Sequence, residues 1–189
     1  LIKLSPLIDI QHLVSSLKNI CKIWIIAVKN EVKEVLVYLN KTENQPEISC
    51  INLQSTEPEF HFNLDDEKNC QSEFSIPKKY IYIPNNSVLK SGAFNLVSEK
   101  FGLRKLHQNT HIYTSEEKIE HFPGRIFETE EINSKAIKKG EQFNIITKNF
   151  PLKPEEIKKK YKIKDGGNQY LIAVKSLSGN HFLVGKLLD

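Results

Sequence analysis

The sequence predicts a mixed α/β fold, a small sheet with helices packed on it. Three observations carry that reading. A nearly continuous apolar run at Ile23–Val28 has the composition of a buried strand. Two stretches, one after Asp9 and one after Asn86, place apolar residues at helical spacing. The last third alternates strand and helix signals in the order βαβαββ.

Leu1–Leu4 reads as a strand ending at Ser5–Pro6. Asp9 then caps a helix through about Lys18, with Ile10, Leu13, Val14 and Leu17 on one face. Ile23–Val28 is expected to be buried on both faces, as in a parallel sheet. Val35–Leu39 follows across a short polar turn at hairpin spacing, although Glu31–Glu34 could instead extend a helix. Residues 40–47, polar and containing Pro46, form a loop. Ile48–Leu53 and Phe60–Leu64 are short strands. Asp65–Lys79 opens on three consecutive acids, is poor in apolar side chains, and is the best linker in the chain.

Tyr80–Pro84 is a further strand. Asn86 suits the N-cap of a helix of about fourteen residues, with Leu89, Ala93, Leu96 and Val97 as its stripe and Gly102 as its stop. His111–Tyr113 is a short strand. Arg125–Ile132 reads as a strand, Ser134–Lys139 as a short helix, and Phe143–Lys148 as a strand. Pro154 opens a helix that runs to Tyr161, and Asp165–Gly167 is a turn. Tyr170–Lys175 and Phe182–Leu187 form a hairpin around Ser178–Gly179–Asn180.

With 189 residues, 39% of them hydrophobic and 26% charged, the chain can bury a core. Its length suits one ordinary domain or two small ones. Every apolar run is far shorter than the roughly 20 residues a membrane helix needs, and no signal-peptide pattern opens the chain. There is no methionine, and a strand signal begins at Leu1. The chain therefore reads as part of a longer protein, although removal of an initiator residue gives the same absence. Cys21, Cys50 and Cys70 are odd in number and widely spaced, which fits neither a disulfide framework nor C-x-x-C metal spacing. They point to reduced thiols and a cytoplasmic location.

Chemistry-bearing motifs are absent. The six histidines at 12, 61, 107, 111, 121 and 181 include no H-E-x-x-H and no Cys/His cluster. The eight glycines form neither G-x-G-x-x-G nor a P-loop, and no G-x-S-x-G elbow occurs. No catalytic residue and no metal site follow from spacing.

Charge is more informative. Residues 1–79 carry 9 basic and 11 acidic side chains, a net −2, and residues 80–189 carry 18 and 12, a net +6. Within 135–164 there are ten lysines against three glutamates. Such a patch attracts phosphates through Coulomb forces and counterion release, with Tyr161 as an interleaved aromatic. A solvated lysine-rich helix face accounts for the same composition. Arg125, after Pro123–Gly124, is one of only two arginines. It is placed to grip a phosphate or carboxylate, or to pair with a nearby glutamate.

The succession Tyr80–Ile–Tyr–Ile–Pro–Asn–Asn, Phe101–Gly–Leu–Arg–Lys–Leu–His and Phe122–Pro–Gly–Arg–Ile–Phe carries a family resemblance. It resembles the C-terminal part of a bacterial family of class I S-adenosylmethionine-dependent methyltransferases with a THUMP-like domain. Asn149–Phe–Pro–Leu, the lysine-rich helix and Lys164–Asp–Gly–Gly fit the same family, and Leu1–Asp9 looks like a late strand of its methyltransferase domain. Ile83 stands where the family has an acidic residue, and Gln108 where proline is common. The resemblance implies the C-terminal piece of a Rossmann-like methyltransferase sheet over 1–64, followed by a linker over 65–79. It further implies a small ferredoxin-like module over 80–122 and a THUMP-like domain over 123–189. It also implies that the cofactor loop for S-adenosylmethionine lies upstream, so that this chain binds no cofactor and is catalytically incomplete.

THUMP domains are associated with RNA, and the charge asymmetry points the same way. The expected role is substrate recognition, with tRNA or rRNA as the partner beside an upstream methyltransferase domain of the same protein. Lys138, Lys139, Lys158, Lys159, Lys160 and Lys162 are the expected phosphate contacts. Arg125 and Tyr82 are further candidates, Tyr82 as a stacking aromatic. The rival expectation is a structural module that completes the methyltransferase fold and forms a homodimer. A small-molecule enzyme has no supporting constellation in the sequence.

Overall fold

The computed structural model describes residues 1–41 and 45–188. They form two compact units, each assembled from several stretches of chain. The first contains Leu1–Ser72, Pro84–Phe101 and His121–Gly124; the second contains Glu73–Ile83, Gly102–Glu120 and Arg125 onward. Both are mixed α/β bodies built on a sheet, as the sequence predicts.

The first unit is built on β1 (Ile2–Leu4), β2 (Ile20–Val28), β3 (Glu31–Leu39), β4 (Glu47–Leu53) and β5 (Phe60–Asn63), in the order β1-β3-β2-β4-β5. Strands β2 and β3 form a hairpin whose corner residues Lys29 and Asn30 both take positive φ, 49° and 65°. That is the twist-matched geometry of a two-residue turn, so Glu31–Glu34 belong to a strand and not a helix. The sheet is mixed, because β2 runs parallel to β4 and antiparallel to β3. Ile23, Ile25 and Ala27 are fully buried while Trp24, Ile26 and Val28 are half-buried. Full burial on both faces was the expectation for this run; the alternation shows one face much better covered than the other.

Helix α1 (Ile10–Ser16) starts at its expected cap, with the Asp9 carboxylate accepting from the His12 amide at 2.7 Å. The expected linker is structured in its first part, as α2 (Leu64–Asn69). The single helix expected after Pro84 is two, α3 (Asn86–Ser91) and α4 (Phe94–Lys100). Gly92, at φ 80°, ends the first of them, a conformation that costs glycine nothing. The N-cap of α3 is Asn85, not Asn86, and its side chain accepts from the Val88 amide at 3.1 Å. Helix α4 begins at Ala93, which has no capping side chain. The Glu67 carboxylate of α2 takes its place, accepting from the Asn95 and Leu96 amides at 2.9 and 2.7 Å. A negative charge there also suits the helix dipole.

The second unit is a seven-stranded sheet of β6 (Tyr80–Pro84), β7 (Arg104–His107), β8 (Thr110–Ser115), β9 (Gly124–Ile132), β10 (Gln142–Lys148), β11 (Lys164–Ser176) and β12 (Gly179–Leu188). Their order is β10-β11-β12-β9-β6-β8-β7. Helix α5 (Pro154–Tyr161) connects the parallel pair β10 and β11, and a turn at Leu177–Ser178 joins β11 to β12. The strand buried on both faces is β11, where Leu171, Ile172, Ala173 and Val174 are all at 0% exposure. Ile172 and Val174 join one core with Ile81, Ile83, Leu106 and Phe127. Leu171 and Ala173 join another with Ile157 of α5, Phe143 and Ile163. Strand β7 escapes the sequence reading because its first two residues, Arg104 and Lys105, are charged. The expected Asp165–Gly167 turn is a bulge within β11: the register passes from Phe143↔Asp165 to Asn144↔Tyr170. The expected helix at Ser134–Lys139 is a single 3₁₀ turn, Ser134–Ala136.

The units do not follow the sequence divisions. Residues 80–122 give β6, β7 and β8 to the second sheet and α3 and α4 to the first unit.

Candidate nucleic-acid interface

The lysine-rich region lies in the second unit, where three local devices organise it. Pro154 occupies the first turn of α5, and the Glu156 carboxylate reaches back to the Lys153 amide at 2.6 Å. That bond satisfies a donor the helix cannot. Ile157, at 0% exposure, fastens the helix to the sheet, with Lys158 and Tyr161 half-buried beside it. Lys159 and Lys160 are exposed. As cations in the last turn they also favour the negative end of the helix dipole.

The helix ends at Lys162, which takes the left-handed conformation at φ 55°, ψ 38°. Glycine is the usual residue at such a terminus. A lysine here accepts some backbone strain and puts an exposed ammonium directly after the helix.

The second device is a tight turn over Lys138–Glu141. The Glu141 carboxylate accepts from the Lys138 amide at 2.8 Å, and Gly140 sits at φ 89°. Ile137 is buried beneath it, and Lys138 and Lys139 are exposed. The third device joins the two. The Gly140 amide donates to the Lys162 carbonyl at 3.0 Å, and the Lys164 amide to the Glu141 carbonyl at 2.8 Å. Residues more than twenty positions apart in sequence thus meet at one end of the β10–β11 pair. The exposed Lys164 belongs to this group and was missed by sequence reasoning. Its signals were its place among the ten lysines of 135–164 and its position just after the helix end.

The structure places the other candidates differently. Lys158 is half-buried and engaged: its ammonium bonds Asp165 and Glu155. These bonds, Asp165 first, hold its pKa above the ordinary lysine value. It clamps α5 to β11 and is not free for a phosphate. Tyr82 is a correction. It is at 0% exposure, and its hydroxyl bonds the Ile119 amide at 2.8 Å, Ser115 Oγ at 3.0 Å and the Glu117 carbonyl at 3.2 Å. No base can stack on a buried ring, and its role is to hold the 115–119 loop. Arg125 is half-buried, with its guanidinium 5.6 Å from the Phe127 ring centroid. Tyr161 packs edge-on against Phe182, 5.7 Å between centroids, with the Lys160 ammonium 5.5 Å from its own ring.

Among the described residues no cluster of three or more His, Cys, Asp or Glu side chains is arranged to hold a metal ion, and no helix is long and apolar enough to cross a membrane. Cys50 and Cys70 are buried free thiols, their pKa values pushed up by burial to about 12 and about 11, so both are protonated and unreactive near neutral pH.

Residues 80–123 match the family model of a ferredoxin-like domain, and residues 124–185 that of a THUMP-like domain. The chain therefore carries both in an α+β fold. No curated protein matches it. A crystal structure from Porphyromonas gingivalis W83, described as a "putative methyltransferase", is similar over 97% of this chain with 33% identity and a TM-score of 0.85. This chain covers 50% of that one, about half its length.

Proposed function

We propose that this chain is the substrate-recognition part of an S-adenosylmethionine-dependent methyltransferase of class I. It holds structured RNA through the basic end of its THUMP-like domain. The observation that carries the reading is the junction of Gly140 with Lys162. It gathers Lys138, Lys139, Lys159, Lys160, Lys162 and Lys164 at one end of a rigid parallel strand pair. Lysines act on phosphates as mobile point charges, and such contacts position an RNA without reading its sequence. The sequence divisions 1–64, 80–122 and 123–189, with a linker over 65–79, belong to the same proposal.

The first unit supports an upstream catalytic half. Its sheet ends in the three-residue strand β1, and Leu1 and Leu7 beside it are 78% and 89% exposed. The unpaired backbone groups of that edge, beside uncovered leucines, suit a surface that another part of the protein covers. The residues present do not fit the cofactor itself. A glycine-rich turn lets backbone approach a nucleoside, and residues 1–91 contain no glycine. Methyl transfer is therefore assigned to the other half, and no step of it is derived from these residues. The buried free thiols of Cys50 and Cys70 suit a cytoplasmic setting.

Capture of RNA from a total bacterial extract tests the reading. Wild-type chain should enrich tRNA or rRNA fragments, and the triple variant Lys138→Glu, Lys139→Glu, Lys162→Glu should lose that enrichment. Equal capture by both would defeat the proposal, and sedimentation as a dimer without RNA capture would favour the structural reading.

A further inference from the structure

The two strands that share α5 have a second end. Ligands of parallel strand pairs gather outside the carboxyl ends of the strands, where the loops part. Here that end bears a groove of about 410 Å³ lined by Thr147, Asn149, Phe150, Lys153, Lys175 and Asn180. It is opposite the Lys138–Lys162 end, separated by the seven residues of β10, or roughly 20 Å of strand.

The lining has one sign of charge. Lys153 and Lys175 border it and no carboxylate does, and neither lysine is held in an ion pair among the described residues. One wall is apolar and held in place. Phe150 packs edge-on against Phe182, 5.0 Å between centroids, and is half-buried. The residue before it, Asn149, is fixed at φ 51°, and its side-chain amide donates to Thr110 Oγ1 at 3.0 Å. The exposed amide of Asn180 offers a donor and an acceptor across the groove.

From these features we infer that the groove holds one unstacked nucleotide of a bound RNA. The base lies against Phe150, its edge meets Asn180, and its phosphate lies between Lys153 and Lys175. The inference rests on the RNA reading above and deepens it. The far lysines contact phosphates of any RNA, and this groove takes a nucleotide only where the strand is free to leave its stack. Stacking on an aromatic is tolerant of base identity, so the groove selects single-stranded character before sequence.

Two probes separate the two claims: a single-stranded RNA of about 12 nucleotides carrying one 4-thiouridine, and a blunt RNA duplex of the same length. Lys175→Glu and Phe150→Leu should each weaken single-strand binding about tenfold and leave duplex binding within about twofold. Lys139→Glu should weaken both. Irradiation should attach the thiouridine to the 147–153 or 175–180 segment. If binding persists in Lys175→Glu and Phe150→Leu and the adduct maps elsewhere, the groove assignment is overturned and the RNA reading stands. If wild-type chain binds neither probe, both fall. Circular dichroism of each variant guards against misfolding, and a folded Lys175→Glu chain suffices to decide if Phe150→Leu unfolds.

Discussion

The amide of Gly140 donates a hydrogen bond to the carbonyl of Lys162, 3.0 Å away. With the bond from the Lys164 amide to the Glu141 carbonyl, it joins two lysine-bearing segments, distant in sequence, into a single surface. It also makes the surface testable, because its geometry and its charge can be altered separately.

Lys162→Gly relieves the left-handed backbone strain and removes one charge. Melting should show equal stability or a gain of up to about 1 kcal/mol. RNA affinity should fall, with the salt dependence of log K lowered by about one phosphate contact. Parallel melting and binding curves check both arms. A variant that is destabilised, or that binds RNA unchanged, contradicts the assignment of Lys162.

Gly140→Ala changes no charge. A Cβ there meets no atom within 4 Å, so the penalty comes from φ 89° alone. The cost should be about 1 kcal/mol. RNA binding should weaken as the turn carrying Lys138 and Lys139 relaxes. Binding at full strength would mean that the turn's shape is irrelevant and only its charge acts.

Tyr82→Phe deletes a hydroxyl that serves three partners, and should cost about 1–3 kcal/mol because the Ile119 amide loses its acceptor. RNA affinity should stay the same. Loss of binding in a stable Tyr82→Phe chain would restore the tyrosine to the interface.

Burial, with the nearby charges of Lys105 and Lys148, lowers the pKa of His111 to about 4 from 6.5. The unfolded chain therefore binds a proton between these values that the folded chain refuses. Stability attributable to His111 is intact above about pH 6.5 and is lost as pH falls towards 4. Denaturant midpoints of wild type should drop across that window, and those of His111→Gln should drop less. Identical slopes would remove His111 as the cause.

Local signals were legible where one side chain decides the outcome. Asp9 capping α1, Pro154 opening α5 and the paired runs of the β11–β12 hairpin all stand as read. The split of α3 from α4 was hidden because Gly92 interrupts a stripe that otherwise keeps helical spacing. Tyr82 looked like a stacking platform because alternation cannot show which face of a strand lies in the core. For the interface, composition located the lysines between 135 and 164 but not their meeting. Lys158 counts as one more cation in sequence, and only its approach to Asp165 marks it as a clamp. The groove beside Phe150 draws on 147–153 and 175–180, two stretches with no common pattern.

The salt dependence of RNA binding tests the central claim most directly. Binding of bulk tRNA to the intact chain, followed from about 50 to about 200 mM salt, should give a linear fall of log K against log salt. If Lys138, Lys139, Lys159, Lys160, Lys162 and Lys164 each meet a phosphate, the slope should be about −4 to −5. It should flatten by about one for each lysine exchanged for alanine. A slope near zero, or no binding up to high micromolar chain, would contradict the account.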